Sequence, residues 1–198
     1  MICGSWHKPK ASRIRPKSSW RDWIGSERRR RPHDPSARIT KMKDGRTRLA
    51  YKAEHAVDLA SGALLAVTVQ PADRGDTTSY VETLDAAQRE AMQSHPVGIE
   101  EVVMDKGYHS GAVLMDLAER EIRSYVPEPE REQRSKRLQK LRGELCERSF
   151  AHCYETGALR RMYVRGADNV FKRVLVQAAA FNIGLLLRTF YRRFSSPY

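Results

Sequence analysis

Cysteines, acids and long apolar runs are all scarce in this chain, and each scarcity removes a class of explanation. Only Cys3, Cys146 and Cys153 occur among 198 residues, with no Cys-x-x-Cys pair, so neither a zinc site nor a disulfide framework is indicated. They read as small buried apolar side chains. No stretch approaches the roughly 18 consecutive apolar residues of a spanning helix, and the N-terminus lacks a signal peptide's apolar run. The expected location is therefore the cytoplasm. Acids number 24 against 36 Lys and Arg, a formal charge of +12. A polyanion is the natural partner, and nucleic acid is the first reading. A basic membrane binder would gather its charge on one helix, whereas here it runs from Lys8 to Arg193, which argues against a membrane.

What is present suits one domain behind a basic arm. Residues 1–36 hold all three tryptophans, Trp6, Trp20 and Trp23, among Lys and Arg, and the run Arg28 to Arg31 repels itself. A poorly ordered arm is expected, either a phosphate-gripping one with aromatics to stack on bases or a plain tail. Residues 37–198 form the domain. Leu49–Leu59 and Ala63–Val69 flank Ser61-Gly62 as a β-hairpin. Asp76 opens a helix to about Gln93, with Ser79 and Glu82 spaced as a capping box. Ser110 caps a second helix, Ala112 to Glu121, and Ile122–Val126 reads as a strand. No proline falls between Pro129 and Pro197, which leaves room for an amphipathic helix carrying Leu141, Leu145, Cys146, Phe150 and Tyr154, and for a last helix over about Val170–Arg192.

Two carboxylates stand out. Val102 to Met104 is a short buried-strand run that ends in Asp105, Lys106 and Gly107, placing a carboxylate at a sheet edge beside a glycine that permits close approach. A polar turn after a buried strand is the competing reading. Glu147 borders the apolar stripe of Cys146, Phe150 and Tyr154, where a carboxylate costs desolvation unless it is paired. A salt bridge to Arg142 or Arg148 would serve; so would a cation. Together Asp105 and Glu147 suggest a Mg²⁺ site suited to phosphoryl chemistry, although a two-metal site normally takes three acids.

Here the sequence resembles the C-terminal part of the catalytic domain of DDE (Asp-Asp-Glu) transposases of bacterial insertion sequences. The resemblance rests on Asp105-Lys-Gly-Tyr-His-Ser, and on the hairpin Tyr51–Val69 with Gln70-Pro71-Ala72-Asp73 and Gly75-Asp76-Thr77-Thr78 after it. It rests too on Glu147-Arg-Ser-Phe-Ala-His-Cys-Tyr-Glu-Thr-Gly through Arg161, and on Arg165-Gly166, Asn169 and Phe181-Asn182. It implies an α/β, RNase H-like mixed sheet flanked by helices, with C-terminal helices, and transposase activity on double-stranded DNA. By resemblance Asp105 matches the second Asp and Glu147 the Glu, both catalytic and metal-binding, with Mg²⁺ or Mn²⁺ as cofactor. Lys106, Tyr108, Arg148, Arg160, Arg161 and Arg165 would line DNA, the protein would associate with the nucleoid, and a homodimer is compatible.

The family's first Asp lies on a central strand before the hairpin, and nothing upstream of Asp34 reads as a buried strand ending in Asp. Asp22 is the only upstream candidate, its surroundings are basic, and Asp58 sits at the hairpin turn, where a structural role fits. The expectation is an incomplete sheet and a truncated, inactive transposase. Two other readings stay open: a non-catalytic basic DNA-binding module, and a single-metal nuclease using Asp105 and Glu147.

Overall fold

The hairpin read from the sequence is the frame on which the molecule is built. A computed structural model of the chain describes residues 2–9 by their backbone, and residues 34–41, 45–128 and 136–195. Its central strand β3 spans Thr47–Val57 and runs antiparallel to β4, Leu64–Pro71. Asp58 organises the connection. Its carboxylate accepts from the Ser61 hydroxyl at 2.6 Å and from the Ser61 and Ala60 amides at 2.8 and 3.2 Å, and Gly62 takes φ +74°. Burial opposes the charged form, but these hydrogen bonds outweigh it and hold the Asp58 carboxyl below the usual range.

A short strand β2, Arg38–Lys41, pairs with the start of β3. The expectation that the strand before the hairpin is missing is corrected here. Residues Ile2–Pro9 form β1, antiparallel to β3 from Ile2 opposite Ala56 to His7 opposite Tyr51. The segment Cys-Gly-Ser-Trp-His has no apolar alternation to mark it as a strand, so β1 is set by backbone pairing with β3. The strand contains no acidic residue. It also pairs in parallel with β7, Arg161–Met162. The rest of the expected arm, with Trp20, Trp23, Asp22 and the arginine run, lies outside the described residues, as do residues 129–135.

Helix α1, Asp76–Ser94, packs on one side of the hairpin. With it lie β5 (Glu101–Val103), α2 (Gly111–Glu119) and β6 (Arg123–Tyr125), and β5 and β6 pair in parallel as a separate two-stranded sheet. Tyr80, Leu84, Ala87, Val102, Met104, Val113 and Leu117 fill this core. Helix α3, Lys136–Ala151, continues through a π-helical turn, His152–Thr156. Together with α4, Ala167–Ser195, it encloses a second core around Tyr51, Val57, Val67, Cys146, Cys153, Leu159, Val174 and Phe181. The strand β3 separates the two cores because its successive side chains alternate: Lys52, Glu54 and Ala56 toward α1, Tyr51, His55 and Val57 toward α3 and α4.

Three details depart from or refine the sequence reading. The capping box at α1 does not form: Gly75 is the N-cap without a side-chain bond, because Asp76 and Ser79 turn inward to β3 and Glu82 turns to Gln70 and Arg74. Ser110 caps α2 as expected, accepting from the Val113 amide at 3.2 Å. Helix α4 buries Val170, Val174, Ala178 and Phe181 but exposes Ile183, Leu186, Leu187 and Phe190; over Ala167–Arg192 it is long and apolar enough, by length and composition alone, to cross a membrane.

Two outcomes are expected. Leu84→Ala, at a site 1% exposed, should lower the unfolding free energy by about 2–5 kcal/mol in urea titrations with an unchanged slope. A group whose folded pKa is depressed stabilises above its unfolded value and stops doing so as pH falls through the folded one. The stability advantage of the wild-type chain over Asp58→Ala should therefore shrink on acidification below the ordinary carboxylate range, as thermal melts from pH 7 to pH 3 would reveal.

Candidate active site

Asp105 stands where β5 ends. The strand reaches Met104, whose amide bonds to the Tyr125 carbonyl at 3.2 Å, and the chain then closes into a 3₁₀ turn over Lys106–Tyr108. The Asp105 Oδ1 accepts from the Lys106 amide at 2.7 Å and so caps that turn, while 56% of the side chain remains exposed. The Arg142 guanidinium approaches the same oxygen at 3.8 Å, which is at the limit of an ion pair and leaves the carboxylate open.

Arg142 belongs to α3, and so does Glu147. Helix α3 is fixed at both ends. Near its start Gln139 donates to the carbonyls of Tyr125 (2.9 Å) and Met104 (3.3 Å), tying the helix to the strand end that carries Asp105. Near its end Ser149 bonds to His55 of β3 at 3.1 Å, and Phe150 stacks on the same imidazole with centroids 3.9 Å apart. Glu147 lies between these anchors, exposed, with no ion pair among the described residues. The anticipated salt bridge is not made: Arg148 reaches back one turn to Glu144 at 2.7 Å, and Arg142 turns to Asp105 and Gln139. Two open carboxylates are thus held by one helix and the strand end it crosses.

Among the described residues the donor set falls short of a two-metal centre. No group of three His, Cys, Asp or Glu side chains among the described residues could hold a metal ion. Asp105 and Glu147 offer the hard oxygens that Mg²⁺ prefers, but two carboxylates do not make the site that three acids would. Strand β1, beside β3, brings none. Cys153 adds no nucleophile, since burial pushes its thiol up to about 11.

The basic and aromatic residues expected on DNA divide into groups. Lys106, Arg161 and Arg165 are exposed. Arg148 is bound to Glu144, and Arg160 to Glu155 with its guanidinium over the Tyr154 ring, though both remain at the surface. Tyr108 is the correction: it is 1% exposed, with its hydroxyl 3.5 Å from Glu54, so its ring cannot meet DNA. The resemblance implies a DNA contact for it, but the 3₁₀ turn rotates it into the core.

Sequence reasoning missed the charges beneath this turn. Lys52 and Glu54 have no exposed surface and pair at 2.7 Å; Lys52 also pairs with Asp76 and donates to Ser79 at 2.7 Å. The Glu54 carboxylate further accepts from the Ser79 hydroxyl and from Thr83 at 2.8 Å. The signal was present, because Tyr51-Lys-Ala-Glu-His puts opposite charges two apart, on one face of a strand, inside an otherwise apolar hairpin. The family described as Transposase DDE domain matches residues 19–183, whereas no curated protein and no solved structure matches. A match over that span, taken with the Asp105 and Glu147 segments just described, makes this chain a member of the DDE transposase family.

Proposed function

We propose that the chain is a transposase of an insertion sequence that binds double-stranded DNA but does not complete cleavage and strand transfer. Family membership supplies the reaction class, phosphoryl transfer on DNA, and the net charge of +12 supplies the attraction to a polyanion. The observation that carries the loss of activity is the composition of β1: the strand beside β3 that precedes the hairpin has no carboxylate to join Asp105 and Glu147. On this reading the layers around β3 are an RNase H-like fold. Asp105 and Glu147 are the second and third acids of the family's triad, and they would hold a divalent cation such as Mg²⁺ or Mn²⁺.

DNA is held, in this proposal, by Lys106, Arg148, Arg160, Arg161 and Arg165, as contacts to phosphates without base readout. Arg161 and Arg165 come first because they are exposed, and no ion pair is recorded for either among the described residues. A DNA-binding module with no metal-related acids differs from this reading in one respect: its Asp105 and Glu147 would be indifferent to divalent cations.

Three measurements test the proposal. Duplex binding should weaken steeply with salt and persist in EDTA. Arg161→Ala or Arg165→Ala should weaken it alike on any sequence and lower the salt slope by about 1 each. With Mg²⁺ or Mn²⁺, supercoiled DNA and transposon-end duplexes should remain uncut; metal-dependent nicking that disappears in both Asp105→Asn and Glu147→Gln would overturn the claim of lost activity.

A further inference from the structure

The buried ions beneath the Asp105 turn have no part in the chemistry described so far. A lysine and a glutamate without exposed surface are costly to keep, and an apolar pair of similar size often serves stability as well or better. Here they join three parts of the fold. Lys52 and Glu54 belong to β3; Asp76, Ser79 and Thr83 belong to the first turns of α1; Tyr108 closes the turn that begins at Asp105. The Lys52 ammonium also lies 6.0 Å from the centre of the Tyr108 ring, within cation–π range.

The network touches the turn a second time at Gly107. A Cβ there would lie 2.7 Å from the Asp76 Oδ2, closer than real contacts allow, while Asp76 Oδ1 is held by Lys52. Gly107 is needed for this closeness, since no positive φ is recorded for it. Both contacts act within three residues of Asp105, on a turn whose own bonds are local: Asp105 Oδ1 to the Lys106 amide, and the Tyr108 amide to the Asp105 carbonyl at 3.0 Å.

We propose that Lys52, Glu54 and Asp76 are positioning residues, an ionic clamp with two buried members, Lys52 and Glu54, and one half-exposed member, Asp76, that sets where the Asp105 carboxylate stands. Glu54 and Lys52 hold the Tyr108 end of the turn down, and Asp76 fixes the path of the backbone at Gly107. The inference rests on reading Asp105 as a cation-facing acid, but the clamp's effect on the turn is measurable apart from any metal or activity.

Hydrogen exchange read by mass spectrometry on the full chain tests it, in Glu54→Gln and in Gly107→Ala. The expected result is exchange at least tenfold faster over residues 105–109, with β3 and β4 as protected as in the wild type. Unchanged exchange at the turn in Gly107→Ala overturns the proposal, as does equal loss of protection in hairpin and turn, which would make the network ordinary core. Gly107→Ala keeps the test decisive if Glu54→Gln does not fold, because it leaves every buried charge in place. In parallel, Mn²⁺ titration followed by electron paramagnetic resonance should give at least tenfold weaker binding in Gly107→Ala than in the wild type. If Asp105→Asn leaves Mn²⁺ binding unaltered, the assignment of Asp105 to a cation fails, and the exchange result still decides the clamp.

Discussion

The constraint on which the rest of the structure depends is the Glu54 carboxylate, which has no contact with water and must find every partner inside the protein. A buried carboxylate left unpaired costs several kcal/mol, so the fold is bound to deliver Lys52, Ser79 and Thr83 to it. Those partners come from β3 itself and from the first two turns of α1. Their arrival fixes the rotation of α1 about its axis, and with it the ridge of Tyr80, Leu84 and Ala87 that meets β5 and α2. Apolar packing alone would tolerate several rotations; the charges select one.

The opposite side of the same strand serves the other carboxylate segment. His55 holds Ser149 and Phe150 of α3, two and three residues beyond Glu147. One strand therefore anchors the Asp105 turn from its even-numbered side chains and the Glu147 helix from its odd-numbered ones. A slip of β3 by a single residue would exchange the two faces, so the bulge at Ala56/Val57 and the Asp58 turn that pin its register also preserve the relation between the two acids.

Much of this was legible in the residues. The Ser-Gly turn, the Ser110 cap and the apolar stripes of the last two helices follow from local rules, and the structure has them within a few residues of where periodicity put them. Asp105 at a strand end was legible because three apolar residues precede it and a turn follows. What escaped is whatever depended on partners distant in the chain. Ile2–Pro9 is a strand because β3 offers it a ladder, not because of its own pattern. Asp76 and Ser79 look like capping residues, yet buried charges on β3 draw them away, and Tyr108 looks like a surface aromatic until the carboxylate beneath it is known.

Asn182, in the middle of α4, reaches the main chain of Leu64 twice, accepting from its amide at 2.9 Å and donating to its carbonyl at 2.8 Å. The side-chain amide thus imitates the peptide group of a neighbouring strand and finishes the hydrogen-bonding of β4 where it leaves the turn. On the other side β1 meets β7, a segment some 150 residues later in the chain. A ribosome must therefore emit the chain as far as β7 and α4 before these borders of the sheet are satisfied, and until then the hairpin carries unpaired backbone that a holding chaperone could shield.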